Sequence, residues 1–313
     1  MDRISELPDH LIHHILSFIP TIDVVRMSIL SRRWRQVWYS VPDLHFCDYD
    51  HIDRFHFHSQ PKKAFYKFVD NCLKYRERSA RYIADSFITK LRIEYYGDKP
   101  ALDNWSTLTI WRNIKELDIF TEPQDFFVVY YCLPEAVLNA RSLTVLKLDY
   151  LTFDGSCSIS LPSLISLSLM YVKLNDEALQ NLLLGCPALE KFVLTKGYGL
   201  LDPKISSLTL KFLEIIEDDH KPFKTLEFET INLQSLIYNG DRENIINLSA
   251  CKAIRSLSLS DIMLRELENL ICGFSLLESL TLYHCFDVKH IRICGQDLKT
   301  IRLLTVISSV VYQ

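Results

Sequence analysis

Several features that point to a membrane protein, a secreted protein or a nucleic-acid binder are missing from this 313-residue sequence. The N-terminus carries Asp2, Glu6 and Asp9 where a signal peptide requires an apolar run. Apolar runs such as residues 126–133 are too short to span a bilayer. The net charge of −4 lacks the basic excess of a nucleic-acid-binding domain. We therefore expect a cytoplasmic or nuclear protein whose partners include neither a membrane nor a nucleic acid.

Paired cysteines and glycine-rich loops are also scarce. Nine cysteines are scattered without a C-x-x-C pair, which is typical of reduced thiols. With eight glycines in total, no glycine-rich phosphate loop is found, and no Ser/His/Asp order stands out. Cys186 and Cys272 stand beside leucines, whereas Cys157 and Cys294 have no basic cluster nearby to activate a thiolate. We expect no catalytic residue, no cofactor and no enzyme activity.

One stretch does concentrate residue types that bind metals, at residues 45–51 (HFCDYDH), with His56 and His58 following. Zinc requires convergent ligands at short, fixed spacings, but here aromatic residues are interleaved and no second half-site follows. His10 and His14 are spaced i, i+4 without the glutamate of H-E-x-x-H. We interpret the first group as a polar linker and the second as a solvated helix face, and expect no metal site.

The N-terminal residues predict three short amphipathic helices. Leu7-Pro8-Asp9 opens the first, because proline suits a first turn and an acidic residue complements the helix dipole. Pro20 ends this helix, Thr21 is predicted to cap the second and Ser31 the third. A unit this small has more apolar surface than it can bury, so part of that surface requires a partner.

The pattern LP-x-x-L-x-x-x-I-L at residues 7–16, with L-S-R-R-W-R at residues 30–35, resembles an F-box. The resemblance implies that the three helices dock on the Skp-type linker protein of a cullin ubiquitin ligase. It implies a docking face of Leu7, Pro8, Leu11, Ile15, Leu16, Ile19, Leu30, Ser31 and Trp34. The arginines at 32, 33 and 35 either bind an acidic surface or form a solvated face, and both interpretations stay open.

The remainder of the chain is a repeat. The pattern L-x-x-L-x-L, with isoleucine or an aromatic residue sometimes substituting, begins at Ile88, Ile114, Leu143, Leu164, Leu189, Leu210, Leu233, Ile254, Leu277 and Leu298. The spacings are typical of leucine-rich repeats. Each repeat predicts a strand whose alternate leucines face inward, so that the repeats stack into a curved solenoid with a parallel sheet. Of two registers around residues 205–216, we choose the one starting at Leu210 because it keeps the period.

The sequence thus predicts an α/β chain in three parts. Residues 1–46 form the F-box, residues 47–86 a helical linker, and residues 87–313 about ten irregular leucine-rich repeats. The asparagine or cysteine typical of the ninth repeat position is mostly replaced, and only Cys285 fits, which predicts repeats without an asparagine ladder. Together with Trp105 and Trp111 before the second strand, this resembles plant-type F-box/LRR-repeat proteins of the FBD-like subfamily. The apolar residues at 306–313 suggest a shortened C-terminus.

The resemblance implies a non-catalytic substrate adaptor of an SCF-type ubiquitin ligase. Its partners are the Skp-type linker, through it a cullin, and an unknown target protein. In each repeat strand, the third, fifth and seventh positions of the pattern are predicted to point outward, to the concave side of the solenoid. The candidate target-binding residues at these positions are Phe120, Lys147, Met170, Phe212, Ser258 and Tyr283. Two alternatives stay open: an LRR interaction scaffold whose helical N-terminus is only a cap, and a truncated decoy that binds the linker without delivering a target.

Overall fold

The chain divides into two compact units, Met1–Asp149 and Tyr150–Gln313. The structure is a computed structural model that describes residues 4, 6–47, 61–79, 87–95, 99–110, 113–121, 131–153, 155, 158–217, 223–263, 273–286 and 298–304. No helix of these residues is long and apolar enough to cross a membrane.

The first unit combines helices with a small parallel sheet. Its described helices are α1 (Asp9–Leu16), α2 (Thr21–Met27), α3 (Arg32–Ser40), α4 (Pro61–Ser79), α5 (Lys99–Ile110) and α6 (Glu135–Leu138). Its described strands are β1 (Asp43–Cys47), β2 (Lys90–Tyr95), β3 (Glu116–Thr121), β4 (Tyr131–Cys132) and β5 (Val145–Asp149). The strands β1, β2, β3 and β5 pair side by side in that order, all parallel.

The predicted start of α1 and the predicted cap of α3 are confirmed, but the predicted cap of α2 is wrong. Pro8 precedes α1, and Asp9 lies in its first turn. The Ser31 hydroxyl accepts a hydrogen bond from the Trp34 N–H at 3.2 Å. Thr21 is the first residue of α2, and its buried hydroxyl accepts a hydrogen bond from the His45 N–H at 2.8 Å. The side chain therefore fastens β1 instead of capping α2.

A strand occupies the end of the predicted F-box, where the sequence suggested none. In β1, Leu44 lies opposite Leu91 and Phe46 opposite Ile93, in register with β2. Leu44 and Phe46 are buried, and the residues between them face the other side of the sheet. The strand was missed because two apolar positions do not make an L-x-x-L-x-L pattern.

The helices after β1 are joined to their neighbours by buried polar contacts. Within the predicted helical linker, residues 61–79 form α4. Arg76 of α4 is fully buried, and its Nη1 donates a hydrogen bond to the Trp38 carbonyl oxygen at 2.6 Å. Trp105 of α5 donates from Nε1 to Asp70 Oδ1 of α4 at 2.8 Å. These contacts set the orientation of α4 against α3 and α5, while Trp111 lies outside the described residues.

The second unit consists of stacked repeats. Its described elements are β6 (Leu151–Thr152), β7 (Ser166–Met170), α7 (Asp176–Leu184), β8 (Lys191–Thr195), β9 (Lys204–Ser206), β10 (Phe212–Ile216), β11 (Thr225–Glu229), β12 (Ser235–Asn239), β13 (Ile245–Asn247), β14 (Ser256–Ser260), β15 (Ser279–Tyr283) and β16 (Thr300–Leu304). The strands β7, β8, β10, β12, β14, β15 and β16 pair in that order in parallel. The strands β9, β11 and β13 form a second parallel sheet.

All ten predicted repeat strands are confirmed, each beginning two residues after its predicted pattern. The register chosen at Leu210 is also confirmed, because β10 starts at Phe212. Ile205, which begins the alternative register, is buried in β9 of the second sheet. Between β7 and β8 the chain returns through α7.

Candidate functional site

The three N-terminal helices leave large apolar side chains exposed. Leu11 and Ile15, one turn apart on α1, are each 42% exposed, and Leu30 before α3 is 68% exposed. Phe18 and Ile29, which the sequence analysis did not select, are 77% and 79% exposed. So much uncovered apolar area on a small helical unit indicates an interaction surface.

Arg33 brings the turn before α3 to the beginning of α1. Its Nη2 donates hydrogen bonds to the Leu7 carbonyl oxygen at 2.7 Å and to Asp9 Oδ1 at 2.9 Å. Leu30 and Ser31 immediately precede α3 and are therefore placed close to the start of α1. Arg33 thus has a role within the unit. Arg32 and Arg35 are exposed, so both interpretations, binding to an acidic surface and a solvated face, stay open for them.

The nine residues predicted for the docking face fall into three groups. The exposed ones are Pro8, Leu11, Ile15, Leu30 and Ser31, and the half-buried ones are Leu7 and Ile19. Leu16 and Trp34 are only 2% and 8% exposed. Their side chains belong to the core of the unit, where a docked partner does not reach them, so their predicted place on the face does not agree with their burial. They support the face by holding the helices together.

The outward residues of β2, β3 and β5 form a surface of alternating charge in the first unit. Arg92 lies between Glu94, at 2.9 Å, and Asp118, at 3.7 Å. In register, Asp118 stands opposite Lys147, and Glu94 stands opposite Phe120. Two of the predicted target-binding residues, Phe120 and Lys147, are therefore brought together on this charged surface.

Burial changes the ionisation of two carboxyl groups on the charged surface. Burial, together with the negative charge of Asp118, raises the pKa of Asp149 to about 7, against the opposing charges of Arg92 and Lys147. Burial also raises the pKa of Asp118 above its usual value, against the opposing charges of Arg92 and Lys147. The charge of this surface consequently changes near neutral pH.

Next to these residues, β1 contributes His45 and Cys47. His45 Nε2 lies 2.9 Å from Glu94 Oε1, and Cys47 Sγ donates to Glu94 Oε2 at 3.1 Å. Burial raises the pKa of Glu94, but hydrogen bonds from Cys47 and His45 and the charge of Arg92 bring it below its usual value. The sequence interpretation of this stretch as a polar linker overlooked Glu94, because the contact depends on the pairing of β1 with β2.

The second unit presents serines and threonines at many of its outward strand positions. The other predicted target-binding residues are distributed over four of its strands. Met170, Phe212 and Ser258 are half-buried, and Tyr283 is exposed. Ser258 and Tyr283 belong to neighbouring strands, whereas β8 separates the strands of Met170 and Phe212. These four residues therefore do not form one cluster.

A ladder of side chains at the ends of the strands was missed by sequence reasoning. The rings of Tyr150 and Tyr171 stack at 4.6 Å, and Lys196 Nζ lies 5.5 Å from the Tyr171 ring centroid. Each residue directly follows a strand and has a left-handed backbone, with φ between 50° and 55°. A comparison of the residue that directly follows each repeat strand could have identified this ladder from the sequence.

Three amphipathic helices with an exposed apolar face, followed by stacked parallel repeat strands, define a helical docking module joined to leucine-rich repeats. Comparison with known proteins agrees: the F-box domain family matches residues 4–46, and the family "FBD-associated F-box protein At5g56370, LRR repeats" matches residues 102–250. The chain belongs to the F-box/LRR-repeat proteins of the FBD-associated type, which confirms the family and fold inferred from the sequence.

Relatives in Arabidopsis thaliana support this assignment. F-box/LRR-repeat protein 13 is 32% identical over 226 residues, which is 70% of this chain and 47% of the relative. F-box/FBD/LRR-repeat protein At2g26030 is 29% identical over 281 residues, 83% of this chain and 58% of the relative. The chain spans about half the length of the curated relatives it matches. Its domain composition is that of an adaptor-type protein, and neither matching family is an enzyme family.

Proposed function

We propose that this chain is the substrate-recognition subunit of an SCF-type ubiquitin ligase. The exposed apolar surface of the F-box, formed by Leu11, Ile15, Phe18, Ile29 and Leu30, is the observation that carries the proposal. The Skp-type linker protein is the partner that covers this surface and connects the chain to a cullin. An interface of about 1,200–2,000 Å² is sufficient for a stable complex.

The leucine-rich repeats bind the target protein in this proposal. The charged surface with Phe120 and Lys147 suits a segment of mixed charge that contributes an apolar contact. In the second unit, Tyr283 offers an exposed aromatic ring of the type that anchors protein interfaces. Met170, Phe212 and Ser258 have less exposed surface and contribute shape and polarity around such an anchor.

The chain contributes proximity rather than chemistry. It raises the effective concentration of a target lysine near a ubiquitin thioester that another protein carries. Burial raises the pKa of Cys72 and Cys186 to about 12 and that of Cys285 to about 11, so these thiols do not supply a thiolate at neutral pH. The proposed place of action is the cytoplasm or the nucleus.

Co-purification with a purified Skp-type linker protein tests the docking step. Ile15→Asp places a charge in the apolar surface, and we expect it to abolish co-purification; Leu7→Ala with Pro8→Ala is expected to weaken it strongly. Leu184→Asp on α7 is the matched control, because Leu184 is 78% exposed but lies outside the F-box. Circular dichroism checks that each variant is folded. Unchanged binding of Ile15→Asp would show that the F-box assignment of this surface is wrong.

The same experiment separates the alternatives. A wild-type chain that does not bind the linker protein acts as an LRR scaffold. A chain that binds the linker but, in a reconstituted ligase, promotes ubiquitin transfer to none of the proteins it captures acts as a decoy.

A further inference from the structure

We propose that His45, Cys47 and Glu94 form a zinc-binding site between β1 and β2. Each residue offers one ligand atom of a type that zinc binds: an imidazole nitrogen, a thiolate sulfur and a carboxylate oxygen. The three ligand atoms lie within 4.8 Å of one another. In the part of the chain that the structure describes, no other group of three such side chains lies this close.

The distances fit a zinc ion after small movements. Around a tetrahedral zinc with bonds of about 2.0–2.3 Å, the ligand atoms lie about 3.2–3.8 Å apart. Here His45 Nε2 is 2.9 Å from one oxygen of Glu94, and Cys47 Sγ is 3.1 Å from the other. Both contacts are hydrogen bonds to a carboxylate, which accepts only, and zinc takes the place of the Sγ and Nε2 protons. The thiol proton is released to solvent. The neutral imidazole gives up its proton on Nε2 and takes one up from solvent on Nδ1, so that one proton is released for each zinc ion bound.

The backbone holds these side chains on regular elements rather than on loops. Cys47 stands directly opposite Glu94 in the parallel pairing of β1 with β2. His45 and Cys47 lie on the same face because the residues between and before them, Phe46 and Leu44, are buried in the core. Ligands on paired strands are positioned before a metal arrives, which favours binding.

The surroundings suit a partly enclosed metal. The side chain of Glu94 is 12% exposed and that of His45 is 29% exposed. Partial enclosure of this kind strengthens the interaction between an ion and its ligands, and a solvent water molecule reaching the exposed part of His45 supplies the fourth ligand.

Arg92 places a positive charge beside this site and therefore opposes the binding of a cation. Its Nη2 lies 2.9 Å from Glu94 Oε1, whereas Cys47 contacts the other oxygen, Oε2. The guanidinium has a second partner in Asp118, whose Oδ2 is 3.7 Å from Arg92 Nε. Removing the charge of Arg92 is therefore expected to strengthen zinc binding, which is the opposite of the effect of removing a ligand.

The test uses the full 313-residue chain without a histidine tag, freed of metal by a chelator. Isothermal titration with zinc chloride is expected to give one ion per chain, and cobalt chloride is expected to give the charge-transfer absorption of a cobalt–thiolate bond. Cys47→Ser and Glu94→Gln should weaken zinc binding at least about tenfold. Arg92→Gln should bind zinc more tightly. Cys132→Ser, which removes an exposed thiol outside the cluster, should bind as the wild type does.

The proposal is overturned by a lack of saturable binding of one zinc per chain, by the same affinity in Cys47→Ser as in the wild type, or by an equal loss in Cys132→Ser. If Cys47→Ser fails to fold by circular dichroism, His45→Gln takes its place, because His45 is more exposed than Glu94. The cobalt spectrum of the wild type is an independent criterion, since a spectrum without the thiolate band rules out Cys47 as a ligand.

Discussion

The two units share one kind of strand core but differ in their strand surfaces. Leu91 and Leu117 in the first unit and Leu213 and Leu236 in the second are all fully buried at equivalent repeat positions. Between such leucines, the first unit places charged residues, whereas β7 and β14 of the second unit place serines. Stacking depends on the buried positions alone, so the intervening positions can differ without changing the fold.

The units also differ in one hydrogen-bonded, buried carboxylate. Both carry exposed ion pairs, such as Lys90 with Glu116 in the first unit and Arg255 with Glu278 in the second. In the second, Glu217 is buried and accepts hydrogen bonds from the Tyr238 hydroxyl, from Asn244 Nδ2 at 2.6 Å and from the Phe223 N–H at 3.0 Å. Surface charges suit recognition, whereas the buried carboxylate of Glu217 connects Phe223, Tyr238 and Asn244 through hydrogen bonds.

The largest loss of stability is expected from changes to the buried leucines, which both units have in common. Leu117→Ala and Leu213→Ala each remove a fully buried side chain, one in each unit, and should each lower the free energy of unfolding by about 2–5 kcal/mol. Urea unfolding followed by circular dichroism measures both. Ser258→Ala is the control, because it changes a half-buried strand position and should have little effect. A small loss for one leucine and a large loss for the other would contradict the idea of a common core.

The second-largest loss of stability is expected at the buried carboxylate of Glu217, in contrast to the carboxylates on the surface. Asn244→Ala removes a donor to Glu217 and should lower the free energy of unfolding by about 1–3 kcal/mol. Burial already raises the pKa of Glu217, and losing this hydrogen bond raises it further. A carboxyl with a raised folded-state pKa is stabilising below its unfolded pKa, and this contribution is lost as pH rises through the folded pKa. The variant should therefore differ more from the wild type at about pH 8 than at about pH 4.5. Thermal unfolding at the two pH values measures this, and an equal difference at both would contradict it.

The smallest effect concerns the charged surface. Since burial raises the pKa of Asp149 to about 7, folding takes up a proton between the unfolded pKa of about 3.9 and that value. The free energy of unfolding should accordingly decrease as pH rises through this range. Asp149→Asn removes this dependence and should stabilise the protein by about 1 kcal/mol at pH 8, after allowance for solvent screening. Glu116→Gln is the control, because its ion pair with Lys90 is exposed. The same pH slope in Asp149→Asn as in the wild type would exclude Asp149 as its source.

The repeat strands could be predicted because their pattern is local. Leucines at alternate positions show which residues face inward, and the recurring period places each strand, as at Phe212 in β10. The strand β1 could not be found this way, because Leu44 and Phe46 form a strand only against Leu91 and Ile93. The short strands of the second sheet were missed for the same reason, since each has few apolar residues.

The docking face could likewise be predicted only in part from the sequence. The F-box signature indicated a docking face, but only tertiary packing separates exposed Ile15 and Leu30 from buried Leu16 and Trp34. Phe18 and Ile29 could not be chosen from the sequence, because an apolar residue at a helix end packs inward or outward depending on its neighbours.

By itself, the sequence determined the family, the repeated strands and the register of their leucines, because burial of alternate apolar residues is encoded within each short segment. Only the tertiary structure decided which F-box side chains remain exposed and that Glu94 meets His45 and Cys47. The physical reason is that exposure and side-chain contact depend on neighbours distant in the chain. Pairing β1 with β2 brings together residues 47 positions apart, which no local pattern records.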